Sequence, residues 1–228
     1  MTEQNRPKKV SAVIFDVDGT LINTERIYME GWRQSAIRQG FRMDEGYLLK
    51  TRAMDAATTK KLFAEYYPGQ SYEKTREYRV EIAEKMIADC EDPQKLLKPG
   101  VPEVLSWLDE NGIKMAFATG SDLSVTISHL TKTELIDRFP VRVTIADVKR
   151  GKPFPDIFLY AAEKLGADPA ECIVCEDSIS GIEAAHAAGM IPVFIEDCVP
   201  VNDHIRELAY RIPKTLEELP EIIAGINT

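Results

Sequence analysis

Residues 10–21, VSAVIFDVDGTL, constrain the fold more than any other part of the chain. They begin with six uncharged residues rich in valine and isoleucine, a pattern typical of a strand buried on both faces of a parallel sheet. The strand ends in two carboxylates, Asp16 and Asp18, followed by Gly19 and Thr20. Buried carboxylates need a partner or a metal, and open α/β sheets bind ligands at the carboxyl ends of their strands. The stretch therefore predicts a polar site at that edge.

The rest of the chain divides into a helical segment and a segment in which strands and helices alternate. Residues 24–98 contain many helix formers and no convincing strand, and they predict about four helices. Beyond them, short apolar runs alternate with helical patterns at the spacing of right-handed βαβ units. The predicted fold is therefore α/β: a Rossmann-like parallel sheet core formed by residues 1–22 and 99–228, with an inserted all-helical domain over residues 23–98.

Composition and charge exclude several classes of protein. The chain carries 28 Lys and Arg against 37 Asp and Glu, and the excess of acid falls outside residues 24–98. This distribution argues against a nucleic-acid partner and favours a site for a divalent cation. No apolar run is long enough for a membrane span, the first nine residues lack a secretory signal, and four cysteines make no disulfide framework. We therefore expect a cytoplasmic protein with no membrane partner.

Three later stretches place polar groups at the same predicted sheet edge. The second strand ends in three residues that suit a phosphate group, Thr119, Gly120 and Ser121. Lys152 lies before a helix, between a glycine and a proline, where its ammonium group could balance phosphoryl charge. A further strand ends in Glu176 and Asp177, and Mg²⁺ prefers one or two carboxylates together with substrate oxygens and water.

In this order and spacing, FDVDGTL, TGS, GKPFPDIF and EDSISGIEAAHAAGM resemble the four motifs of the haloacid dehalogenase-like hydrolase superfamily. The helical insertion after the first motif is similar to that family's first-type cap, and the β-phosphoglucomutase and small-phosphatase branch is the most similar one. The resemblance implies a Mg²⁺-dependent phosphatase that hydrolyses a small phosphate monoester, such as a sugar phosphate, through an aspartyl-phosphate. It implies a small-molecule partner and a monomer rather than an oligomer.

The resemblance also implies a role for each motif residue. The catalytic residues would be the nucleophile Asp16, the general acid and base Asp18, the phosphoryl-binding Thr119 and the charge-neutralising Lys152. The phosphate would be held by Thr119, Gly120, Ser121 and Lys152, with Arg52 of the cap as a further substrate contact. The metal would be held by Asp16, Asp18 through its backbone carbonyl, Glu176 and Asp177.

Two alternatives stay open. A β-phosphoglucomutase-type enzyme would return the phosphoryl group to a second hydroxyl of a hexose phosphate. Mutases of the family usually carry a histidine where this chain has Tyr28 and an arginine where it has Met54, so the sequence favours the phosphatase. The other alternative is a non-catalytic phosphate-binding relative, which the intact motif residues disfavour. Cys172 and Cys175 form a C-x-x-C pattern inside a predicted strand, where we expect neither a redox nor a metal function.

Overall fold

The structure, a computed structural model that describes residues 9–51 and 56–228, contains a five-stranded parallel sheet. The strands lie in the order β3-β2-β1-β4-β5. Their bounds are β1 Ala12–Phe15, β2 Lys114–Thr119, β3 Val141–Thr144, β4 Cys172–Glu176 and β5 Ile191–Phe194. The predicted α/β class with a parallel sheet is confirmed.

β1 occupies the centre of the sheet because its residues are apolar on both faces, and all four are fully buried. It pairs with β2 on one side and with β4 on the other. Phe15 lies opposite Phe117 and Cys175 in the two neighbouring strands. This register brings the carboxyl ends of β1, β2 and β4 to one edge of the sheet, and the predicted motif residues follow these ends.

Six helices accompany this sheet in the described residues. They are α5 Val101–Glu110, α6 Leu123–Lys132, α7 Asp156–Leu165, α8 Ile179–Ala187, α9 Asp203–Leu208 and α10 Leu219–Asn227. One face of the sheet packs on α7 and α8, through large residues such as Phe158 and small ones such as Ala184 and Ala185. Each of these two helices begins within a predicted motif, at Asp156 and at Ile179, so its packing on the sheet fixes the position of that motif.

A separate helical unit contains α1 Thr24–Arg38, α2 Glu45–Thr51, α3 Ala56–Tyr66 and α4 Tyr72–Ala88. Its buried core consists of Met29, Trp32, Tyr47, Leu48 and Phe63. Aromatic rings make up much of this core, and the Tyr47 and Phe63 rings meet edge to face with centroids 6.0 Å apart. Trp32 is therefore a core residue of the helical unit, as its four-residue spacing along α1 predicts.

The contacts divide the chain into two compact units, Met1–Ile22 with Pro93–Thr228, and Asn23–Asp92. The chain rejoins the α/β unit earlier than the expected boundary at Lys98. The reason is local: Leu97 pairs with Ile22 in an antiparallel bridge, and the N–H of Lys98 donates a 3.0 Å hydrogen bond to the carbonyl oxygen of Leu21. Across residues 9–51 and 56–228, none of the helices has both the length and the apolar character that a membrane crossing requires.

Candidate active site

Asp16 directly follows β1 and is only 6% exposed. Its N–H donates a 3.0 Å hydrogen bond to the carbonyl oxygen of Cys175, which extends the pairing with β4 beyond the end of β1. Burial raises the pKa of Asp16 to about 8, the charge of Lys152 acts against this rise, and the charges of Glu176 and Asp18 add to it. A carboxylate in such a setting needs nearby positive charge to stay ionised.

Lys152 supplies that positive charge. Its ammonium group donates hydrogen bonds to Oδ1 of Asp16 and Oε1 of Glu176, and its side chain is only 10% exposed. The nitrogen also lies 5.0 Å from the centroid of the Phe158 ring. Burial by itself lowers the pKa of Lys152, but the two carboxylates outweigh this effect and hold the pKa above its ordinary value. Lys152 is therefore a fixed cation beside Asp16.

Glu176 ends β4 and uses both carboxylate oxygens within the protein. Oε1 accepts from Lys152, and Oε2 accepts 2.8 Å hydrogen bonds from the N–H and the hydroxyl of Ser178. The carboxylate also lies against Gly181, where a Cβ atom would be 1.9 Å from Cδ of Glu176. Through these contacts the Glu176 side chain holds Lys152 and the start of α8. Its expected role as a metal ligand stays a prediction.

Asp18 is held by a hydrogen bond from the loop that follows the neighbouring strand β2. The hydroxyl of Ser121 donates a 2.6 Å hydrogen bond to Oδ2 of Asp18, and the N–H of Ser121 donates to Oγ1 of Thr119 at 3.0 Å. Thr119 itself is 1% exposed. The loop after β2 therefore contacts Asp18 through Ser121. The sequence predicts a phosphate contact for Ser121 but not this contact with Asp18. Gly120 keeps open space beside its Cα, because a Cβ there would meet nothing within 4 Å.

Asp177 lies against the turn that carries Asp18. Gly19 has a φ of +80°, and a Cβ at this position would be 2.2 Å from Oδ2 of Asp177. The hydroxyl of Thr20, a fully buried residue, donates a 3.4 Å hydrogen bond to Oδ1 of Asp177. Sequence reasoning did not assign Thr20 a site role, although its position directly after D-x-D-G was the signal. A glycine followed by a hydroxyl residue therefore lets the first motif approach the fourth.

The oxygen donors of this edge are compatible with a magnesium ion. Asp16 and Asp177 provide carboxylates, and the Gly19 turn brings the backbone next to Asp177. In the described part of the chain no group of three or more His, Cys, Asp or Glu side chains is arranged to hold a metal. Mg²⁺ does not require such a group, because it binds through one or two carboxylates and keeps several water ligands. The donor set fits Mg²⁺ better than a softer metal.

Three cap positions bear on the substrate and on the mutase alternative. Arg52, the expected substrate contact, and Met54, which bears on the mutase alternative, lie outside the described residues. Tyr28, at the position where mutases carry histidine, donates a 2.7 Å hydrogen bond to Glu84 of the helical unit.

A buried aspartate beside a fixed ammonium group, with a second aspartate two residues later, is the arrangement of hydrolases that attack with a carboxylate. The sequence model of the haloacid dehalogenase-like hydrolases matches residues 10–189, and the chain belongs to this family. The family prediction is therefore confirmed.

Relatives and solved structures agree with this membership. The chain is similar to the phosphorylated carbohydrates phosphatase of Thermotoga maritima, with 32% identity over 81% of this chain and 84% of the relative. It is similar to the fructose-1-phosphate phosphatase of Escherichia coli, with 30% identity over 80% of this chain and 95% of the relative. A crystal structure of a candidate β-phosphoglucomutase from Thermotoga maritima superimposes with a TM-score of 0.79 and 28% identity, over 95% of this chain and 99% of that one.

Proposed function

We propose that this protein is a Mg²⁺-dependent phosphatase that hydrolyses a small phosphate monoester, of the sugar phosphate class, through an aspartyl-phosphate. The observation that carries the proposal is the bridge from Lys152 to Asp16 and Glu176. Attack by a carboxylate on a phosphate dianion requires positive charge to cancel their repulsion, and this ammonium group is already fixed beside the nucleophile. Relatives named as phosphatases of phosphorylated sugars support the substrate class.

In the first step an oxygen of Asp16 forms a bond to phosphorus while the bond from phosphorus to the ester oxygen breaks. Lys152 lies against Asp16 and balances the negative charge of the equatorial oxygens. Asp18, oriented by Ser121, donates a proton to the leaving oxygen. The alcohol then departs and the phosphoryl group stays on Asp16.

In the second step a water molecule attacks the phosphorus of the aspartyl-phosphate. Asp18, now a carboxylate, takes the proton from this water, and Asp16 leaves as a carboxylate with its original oxygens. Asp16 and Asp177, with the backbone carbonyl of Asp18, would hold the magnesium ion, which supplies additional positive charge against the phosphate. Thr119 and Gly120 would bind the phosphoryl oxygens at the end of β2.

A β-phosphoglucomutase-type activity is the alternative that a specific observation favours, because a candidate enzyme of that kind shares the fold at 28% identity. The two activities differ in whether the phosphoryl group passes to water or to a second sugar hydroxyl. A panel of phosphate monoesters assayed with Mg²⁺ for phosphate release, together with an isomerisation assay on β-glucose 1-phosphate, separates them. We expect release that requires Mg²⁺ and Asp16, and that exceeds isomerisation. Isomerisation faster than release would favour the mutase.

A further inference from the structure

A second buried ion pair lies in the α/β unit, and it shares no residue with the Asp16–Lys152 pair. Nζ of Lys98 lies 2.6 Å from Oδ1 of Asp197, and the side chains are 11% and 2% exposed. Oδ2 of Asp197 is buried without a hydrogen-bond partner. Because the desolvation of two charges offsets much of their attraction, such a pair adds little to the free energy of unfolding. The segments that Lys98 and Asp197 belong to indicate another role.

The lysine end of the pair is attached to the turn that carries Asp18. The N–H of Lys98 donates to the carbonyl oxygen of Leu21 at 3.0 Å. Within the turn, the N–H groups of Leu21 and Ile22 both donate to the carbonyl oxygen of Val17, at 2.9 and 3.0 Å. The N–H of Gly19 closes the turn by donating to the carbonyl oxygen of Ile22 at 2.8 Å. Backbone hydrogen bonds therefore connect Lys98 directly to this turn.

The aspartate end of the pair is attached to the strand end that carries Asp177. Asp197 follows β5, and the N–H of Ile195 donates to the carbonyl oxygen of Glu176 at 2.8 Å. Asp177 is the next residue after Glu176, and its carboxylate faces Gly19 of the turn. The ion pair thus connects the two segments whose approach brings the first and fourth motifs together.

We propose that Lys98 and Asp197 are positioning residues that set the separation of the Asp18 turn from Asp177, and thereby the affinity of the site for Mg²⁺. This inference rests on the proposed function, since it concerns the metal of the same site. Neither residue belongs to the four motifs, and neither touches the reacting groups. Their effect is that of outer residues that orient metal ligands.

The test replaces both charges together, with Lys98→Met and Asp197→Leu in one double variant. Loss of both charges avoids the uncompensated buried ion that either single substitution would leave. The matched control is the double variant Arg138→Met and Asp109→Leu, which removes an exposed 2.6 Å ion pair of the same unit, away from the turn. Calorimetric titration with Mg²⁺ alone measures the dissociation constant, and kinetics at saturating Mg²⁺ give kcat and KM.

We expect the Mg²⁺ dissociation constant of the Lys98/Asp197 double variant to rise about tenfold or more, as for other outer-ligand changes. We also expect kcat to fall while KM for the ester stays within about twofold, because the phosphate contacts at the end of β2 are unchanged. The control should keep the wild-type values. A folded Lys98/Asp197 variant with wild-type affinity for Mg²⁺ and wild-type kcat would overturn the proposal.

If that variant does not fold, Lys98→Arg tests the positioning role instead. This substitution keeps the charge but changes the length and shape of the side chain. Weaker Mg²⁺ binding by this variant supports positioning, and an unchanged dissociation constant overturns it. The titration needs no turnover, so it also separates the two proposals. A wild-type protein that binds Mg²⁺ but hydrolyses no ester contradicts the proposed function and leaves the positioning effect measurable.

Discussion

The hydroxyl of Ser121 donates a 2.6 Å hydrogen bond to Oδ2 of Asp18, across the gap between the segments that follow β2 and β1. The bond orients the carboxyl group that we assign to proton transfer in both steps. Ser121 lies in the motif expected to bind phosphate, so its role extends from the phosphoryl group to the general acid and base.

Ser121→Ala should lower kcat by roughly 10- to 100-fold, because a hydrogen bond to a charged group contributes about 1.5–3 kcal/mol. KM should change little, since the lost contact acts on Asp18. Steady-state kinetics on the best ester of the panel measure both. The control is Ser124→Ala, three residues further along, whose exposed hydroxyl donates a 2.6 Å hydrogen bond to Oδ1 of Asp122. Equal kcat values for the two variants would contradict the orienting role.

Lys152→Met should abolish turnover and destabilise the fold. It leaves Asp16 and Glu176 buried without their shared cation, and removal of one member of a buried ion pair costs about 3–5 kcal/mol. Urea denaturation measures the loss in the free energy of unfolding. Arg150→Met, which breaks the exposed pair with Asp156, is the matched control and should cost no more than about 1 kcal/mol.

Gly19→Ala should cost much more than Gly40→Ala, although both glycines have a φ near +80°. At Gly40 the added Cβ meets nothing within 4 Å, so the cost is backbone strain of roughly 1 kcal/mol. At Gly19 the Cβ would lie 2.2 Å from Asp177, so the turn or the carboxylate must move. Thermal unfolding and Mg²⁺ titration of both variants test this. Similar Mg²⁺ affinity in the two would show that the Gly19 turn does not shape the metal site.

The four cysteines should separate into two reactivity classes. Burial raises the pKa of Cys172 to about 12 and raises that of Cys175 as well, so almost no thiolate forms at either site near pH 8. Cys90 and Cys198 are partly exposed. A colorimetric thiol reagent should therefore modify Cys90 and Cys198 first in the native protein, and all four thiols after denaturation. Early modification of Cys172 or Cys175 would contradict the buried environment of β4.

The sheet and the placement of the motifs could be predicted from the sequence because both depend on local patterns. A short uncharged run before Asp16 and another before Glu176 are typical of buried strands, and parallel strands bring their carboxyl ends to one edge. The same reasoning expected both Glu176 and Asp177 at the metal. The sequence pattern does not reveal that Lys152 and Ser178 donate hydrogen bonds to the Glu176 carboxylate, because these contacts form only in the folded chain. The metal role of Glu176 stays a prediction.

Other contacts depend on pairs that are distant in sequence. Lys98 and Asp197 are 99 residues apart, and neither lies in a recognisable motif. Their contact follows from where the chain returns to the α/β unit, which propensities do not determine. Thr20 belongs to the first motif, but its hydrogen bond joins it to Asp177, which lies 157 residues away in the sequence.

The proposed mechanism requires that Asp16 becomes phosphorylated during turnover. Acid quenching during steady-state hydrolysis, followed by mass spectrometry of the peptide that contains Asp16, detects this intermediate. We expect one phosphoryl group on Asp16 in the wild-type protein, a larger fraction in Asp18→Asn when the ester has a good leaving group, and none in Asp16→Asn, which should also be inactive. Turnover by Asp16→Asn at the wild-type rate, or a phosphoryl group on another residue, would contradict the aspartyl-phosphate mechanism.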